Sequence, residues 1–182
     1  MNAFEFPVGL CLLALVVIAS WTDLRARRIP NWLVLVGAGL GLPVQCYLHG
    51  VGEGFSEWLL GMLIGGGLFL PLYALRAMGA GDVKLMGSIG AFVGSWAVFR
   101  IVLLTFIVGG IWALILIVAS RQTRPAFANI RGMLLAMIGR SQQADPSAGP
   151  SGKASVGSLP FAVAIALGTV GAMCLQTASF VF

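Results

Sequence analysis

Two carboxylates in this chain have the setting for chemistry. Asp23 lies in Ser20-Trp-Thr-Asp-Leu-Arg-Ala-Arg-Arg-Ile-Pro-Asn31 and Asp82 in Gly79-Ala-Gly-Asp-Val-Lys84, each at the edge of an apolar segment in 182 residues that hold only six acids. A carboxylate beside lipid is costly, so a membrane protein that keeps two at related depths uses them for catalysis, for ion passage or as structural ion pairs. Gly79 and Gly81 leave the backbone before Asp82 open to unusual angles and to close approach by another backbone, such as an extended substrate strand. After Asp23 the largely basic run to Arg28 ends at Ile29-Pro30-Asn31. Proline there biases its predecessor to extended structure, and Asn31 is suited to cap a following helix.

The elements that must position these acids are membrane helices. With 59% hydrophobic and 9% charged residues, the chain has too much apolar surface for one soluble core, and lipid must solvate much of it. The fold class is all-α, a polytopic bundle of about six transmembrane helices. They are predicted over residues 6–20, 32–47, 58–75, 80–93, 97–119 and 159–180, against the roughly 17 to 25 residues a spanning helix needs. The fourth is short, and Gly94-Ser95 after it reads as a tight turn. The length suits a single membrane domain over 1–182, with 120–156 as an inner loop. In that loop Phe127, Ile130, Leu134 and Met137 recur at helical spacing, as in a helix lying on the membrane surface, either gating the substrate or passive. Residues 141–155, rich in Ser, Gly, Pro, Ala and Gln, read as a flexible linker.

Charge orients the bundle. Glu5 and no basic residue precede the first apolar run and three arginines follow it, which marks a retained helix with its amino terminus outside rather than a signal peptide. The inner segments then hold ten of the eleven basic residues; Arg100 alone is outside, with Glu5, Glu53 and Glu57, in agreement with the positive-inside bias. The net charge of +5 therefore forms a collar beside anionic headgroups, worth about 1 kcal/mol per basic residue, and does not call for nucleic acid. In this topology Asp23 follows helix 1 on the inner side. Two further crossings return the chain to that face, where Asp82 begins helix 4. Both acids can meet at one mouth of the bundle, a geometry that suits a shared site.

The two motifs together resemble those of a known family. Asp-x-x-x-x-x-Ile-Pro-Asn from Asp23 to Asn31, followed by Gly-x-Gly-Asp-x-Lys from Gly79 to Lys84, is similar in order, spacing and topology to the type IV prepilin leader peptidases, members of the GxGD group of intramembrane aspartic proteases. Leu159-Pro-Phe-Ala-Val-Ala-Ile-Ala-Leu-Gly168 looks like the start of that family's last helix. The resemblance implies that Asp23 and Asp82 are the catalytic pair. One carboxyl stays protonated while the other polarises a water, with no metal, cofactor or covalent intermediate required. It also implies the substrate: the basic leader and apolar stem of a prepilin or pseudopilin, cut at the cytoplasmic face of the bacterial inner membrane. Larger members carry an insertion with paired CxxC motifs that accompanies N-methyltransferase activity. This sequence holds no such motif and looks more like the short peptidases of tight-adherence pilus systems, so proteolysis without methylation is expected.

Other residues carry plainer readings. Lys84 could steady an ionised Asp82 or snorkel to headgroups, and it is left outside the catalytic pair. Arg25, Arg27 and Arg28 serve as inner anchors, since they would repel a basic leader. The small-xxx-small run Gly61-Met-Leu-Ile-Gly65 fits either packing within the bundle or a homo-oligomer contact. Cys11, Cys46 and Cys174 are far apart and read as packing residues, His49 stands without another histidine, and Trp21, Trp32, Trp58 and Trp96 fall near span ends as an aromatic belt. Two rival functions fit the acids: a small ion-coupled transporter, weakened by their position near one surface rather than at the midplane, and a non-catalytic pilus-assembly subunit in which they pair with arginines.

Overall fold

Backbone polar groups in hydrocarbon must be satisfied within their own segment, and every regular element among the described residues is accordingly an α-helix. The computed structural model describes residues 8–26, 28–75, 78–119 and 161–178. The helices are α1 (Val8–Ala26), α2 (Asn31–His49), α3 (Val51–Ala74), α4 (Ala80–Val93), α5 (Ser95–Ala119) and α6 (Phe161–Ala178). Each matches one predicted span. The predicted surface helix and linker of the inner loop lie outside the described residues.

Four of these helices, α1, α2, α3 and α5, are long and apolar enough to cross a membrane, and α6 contributes a shorter apolar stretch, Phe161–Gln176. Only 17–28% of the apolar window of each long helix is buried inside the protein, so their outward faces, including Leu35, Leu63, Ile107 and Leu114, meet lipid. The protein is a polytopic helical membrane bundle.

The fourth helix differs from the others. Its 14 residues reach about 21 Å, short of the roughly 30 Å hydrocarbon thickness. Its predicted bounds are correct, and the helix is short. Ten of the 14 are buried, because α3 and α2 both pack closely along it. Glycine makes that approach possible. A Cβ at Gly61 would run into the Gly90 carbonyl, one at Gly90 would run into the Gly61 carbonyl, and one at Gly41 would stand 2.6 Å from the Ala91 carbonyl oxygen. The small-xxx-small run on α3 thus faces α4, and internal packing accounts for it.

Short corners fix the order of the helices. Single residues, Gly50 and Gly94, separate α2 from α3 and α4 from α5, with φ of 84° and 87° and ψ of 167° and 175°. This region is open essentially to glycine alone. At the second corner Glu57 Oε2 accepts both the backbone N–H and the hydroxyl of Ser95, each at 2.8 Å, while the buried Gln45 donates to the Phe92 carbonyl at 3.0 Å. This end of α4 is therefore clamped by side chains of α2 and α3.

The described residues fall into two units. The first comprises those up to Gly109 together with α6; in the second, Gly110–Leu159, only the helical residues 110–119 are described. The first unit holds the core formed by Leu12, Val16, Leu85, Ile89, Ile101 and Ile165. Phe69 stacks on Phe106 at 5.2 Å and meets Phe161 edge-on at 6.0 Å. The acids of both motifs belong to this unit.

Candidate functional site

Asp82 occupies the third position of α4, whose N-cap is Gly79. The Gly79 carbonyl accepts the Asp82 N–H at 3.2 Å, and the Gly79 N–H donates to Asp82 Oδ2 at 3.2 Å. An acid at this position reaches back to an otherwise unsatisfied donor and lies at the positive end of the helix dipole. Gly79 is extended, with φ −80° and ψ 154°, angles that any residue adopts, and among the described glycines a positive φ occurs only at Gly50 and Gly94. The expected unusual angles before Asp82 are therefore absent. The two glycines contribute small size instead: a Cβ at Gly81 would come to 3.4 Å from Ile29, and one at Gly79 to 3.5 Å from Asp82 Oδ2.

Asp23 is held by a longer first helix than the apolar run predicts. α1 continues through Trp21 and Thr22 to Ala26, so Asp23 stands in its last turn and not in the following loop. The polar residues that lead into that turn bond to carbonyls of the helix itself. The Thr22 hydroxyl donates to the Ala19 carbonyl at 2.9 Å, the Ser20 hydroxyl to that of Val16 at 2.8 Å, and the Arg25 guanidinium lies 5.0 Å from the Trp21 ring centre. Hydropathy ended the helix at Ser20 because it weighs polarity and not these local bonds.

Asn31 departs from its expected role. Pro30 is the N-cap of α2, with no capping bond from its side chain, and Asn31 is the first helical residue. Asn31 Oδ1 instead accepts a hydrogen bond from Lys84 Nζ at 3.3 Å. The two motifs are joined across 53 residues of sequence by this bond and by the approach of Ile29 to Gly81.

Asp23 and Asp82 line one cavity of about 310 Å³, together with the polar side chains of Arg28, Asn31 and Lys84 among the described residues. Asp82 is 8% exposed and stands ahead of the apolar part of α4, outside the four long spans. Burial pushes its carboxyl up from 3.8 to about 6; the Gly79 N–H opposes the rise, and the charge of Asp23 adds to it. The arrangement places an acid with raised proton affinity and a second carboxyl on one cavity. Residues 10–114, a stretch containing both aspartates and their cavity, match the type IV leader peptidase family.

The chain belongs to that family. It is 30% identical over 126 residues to the prepilin leader peptidase/N-methyltransferase of Xanthomonas campestris pv. campestris, a match covering 64% of this chain and 42% of that protein. The chain thus spans about two fifths of the length of the curated relative. No solved structure matches it. For this member of the leader peptidase family, the sequence singles out both acids of the cavity but gives two of its other described polar residues different duties, Arg28 as an anchor and Asn31 as a cap, and leaves Lys84 open between steadying Asp82 and snorkelling. The available signal was proximity, since each lies inside one of the two aspartate motifs.

Proposed function

We propose that this protein is a membrane aspartic endopeptidase that removes the basic leader from type IV prepilins or pseudopilins, with Asp23 and Asp82 as a catalytic dyad on a single membrane domain. The observation that carries this reading is the convergence of both motif acids on one cavity, one of them buried with its carboxyl raised to about 6.

The chemistry follows from two carboxyls that share one proton. The ionised partner takes a proton from water as the water oxygen attacks the scissile carbonyl carbon, and the protonated partner hydrogen-bonds the oxygen on which charge develops. Collapse of the tetrahedral intermediate breaks the C–N bond, and the leaving amine receives a proton from the dyad. The pair titrates together, so the acid and base roles belong to it as a unit. An extended substrate strand reaches Asp82 through the cavity that both acids line, while the small Gly81 lets Ile29 pack against the start of α4.

The active site faces the cytoplasm of a bacterial inner membrane, a reading supported by the basic residues gathered on the aspartate side of the bundle. The reaction ends at proteolysis. The Xanthomonas relative is named for N-methyltransferase activity as well; the paired CxxC motifs that accompany that activity in larger family members do not occur among Cys11, Cys46 and Cys174, which supports proteolysis alone. Purified protein in detergent or lipid, mixed with full-length prepilins, is expected to release the leader at one bond, as read by mass spectrometry of both products. Labelled methyl from S-adenosylmethionine is expected to stay out of the new amino terminus. Absence of cleavage across a suitable panel of prepilins would favour ion transport or an assembly role.

A further inference from the structure

Lys84 shares a motif with Asp82 but has no part in the mechanism above. Its Nζ donates to Asn31 Oδ1 at 3.3 Å, and both side chains line the cavity that holds the two aspartates. The bond ties the start of α2, where Asn31 is the first residue, to the opening turns of α4, two residues beyond Asp82. A lysine ammonium is a point charge on a flexible stem. Lys84 is exposed, and its bond to Asn31 holds it beside the cavity. A neutral amide restrains the charge without cancelling it, as a carboxylate would.

Among the described residues, the charged groups facing the cavity are Asp23 from α1, Arg28 from the connection to α2, and Asp82 and Lys84 from α4; α2 presents the neutral Asn31, and α3 none. Among the described residues, Lys84 is a cation of the cavity carried on the same helix as Asp82 and tied to a second helix.

We infer that Lys84, held at the mouth of the cavity by Asn31, is a positioning residue whose fixed positive charge sustains the ionised carboxylate of the dyad beside its protonated partner. This inference rests on the proposed aspartyl mechanism. Burial disfavours the charged carboxylate, and a nearby cation favours it. The cation thereby extends the range in which one acid is ionised and one protonated toward lower pH.

The test is the pH profile of prepilin cleavage from roughly pH 4.5 to 8.5 for wild type, Lys84→Met, Lys84→Arg and Asn31→Asp, with melting curves in the same detergent. Lys84→Met is expected to move the acid limb of kcat up by about half a pH unit or more, with KM little changed, and Lys84→Arg to restore the wild-type limb. Asn31→Asp keeps an acceptor for Lys84 but neutralises its charge and adds an anion to the cavity. It is expected to move the limb in the same direction, and it serves if Lys84→Met does not fold. An acid limb unmoved in Lys84→Met or in folded Asn31→Asp overturns the inference, as does an effect confined to KM. Cleavage by Asp82→Asn would instead remove the dyad on which the inference rests, so the two failures are distinguishable.

Discussion

Asp82 joins two opposing demands: a helix N-terminus that favours an anion and a burial that disfavours one. Burial prevails, and its folded-state carboxyl lies near 6 against 3.8 in the open chain. The folded state therefore binds the proton more tightly than the unfolded chain. Stability from this group is complete below about pH 3.8 and is lost as pH rises through about 6. The loss amounts to at most about 3 kcal/mol for a shift of this size. Asp82→Asn removes it while keeping an acceptor for the Gly79 N–H. The variant is expected to melt at least as high as wild type at neutral pH, with a flatter melting temperature between roughly pH 4 and 7, as thermal unfolding in one detergent will report. A marked loss of stability at neutral pH would favour the structural ion-pair reading. The same titration bears on activity: cleavage is expected to fall as pH rises above about 6, because the shared proton is lost.

At the scale of elements, the central short helix decides the architecture. Gly61 and Gly90 allow α3 and α4 to touch backbone to backbone, whereas a Cβ at Gly67 meets nothing within 4 Å. Gly61→Ala or Gly90→Ala is expected to destabilise by about 1–3 kcal/mol or more through overpacking. Gly67→Ala is expected to be neutral or stabilising by up to about 1 kcal/mol through helix propensity, both measured as shifts in the detergent melt. Much of this level was legible beforehand: each of the six apolar runs corresponds to a helix among the described residues, and the bounds 80–93 and the turn at Gly94 were correct because a Gly-rich start and a Gly corner punctuate that segment in the sequence. Two features were not legible. Hydropathy stopped α1 before Asp23, since side-chain bonds from Ser20 and Thr22 to its own carbonyls are invisible to an apolarity count. The partner of the Gly61–Gly65 face was equally hidden, because spacing tells that a neighbour approaches closely and not which neighbour it is.

For the whole molecule, topology brings together what the chain separates. Two crossings between the motifs return Asp82 to the end of the bundle where α1 finishes, and the Lys84–Asn31 bond and the Ile29–Gly81 contact tie the two motifs at the mouth of the cavity. The convergence of the acids was thus foreseeable from counting spans, whereas the bond between Lys84 and Asn31 required the packed structure. The orientation has its own test. In a background without Cys11, Cys46 and Cys174, Glu53→Cys is expected to react with a membrane-impermeant thiol reagent in intact cells and Arg25→Cys only after permeabilisation, both positions being exposed; the reverse pattern would place the aspartates outside. The central claim, that the two acids act as one dyad, is met most directly by measuring prepilin cleavage by wild type, Asp23→Asn and Asp82→Asn at matched, folded concentrations. Each amide variant is expected to lose activity by at least roughly 10² to 10⁴-fold while melting as a folded protein, and full cleavage by either would contradict the aspartyl mechanism.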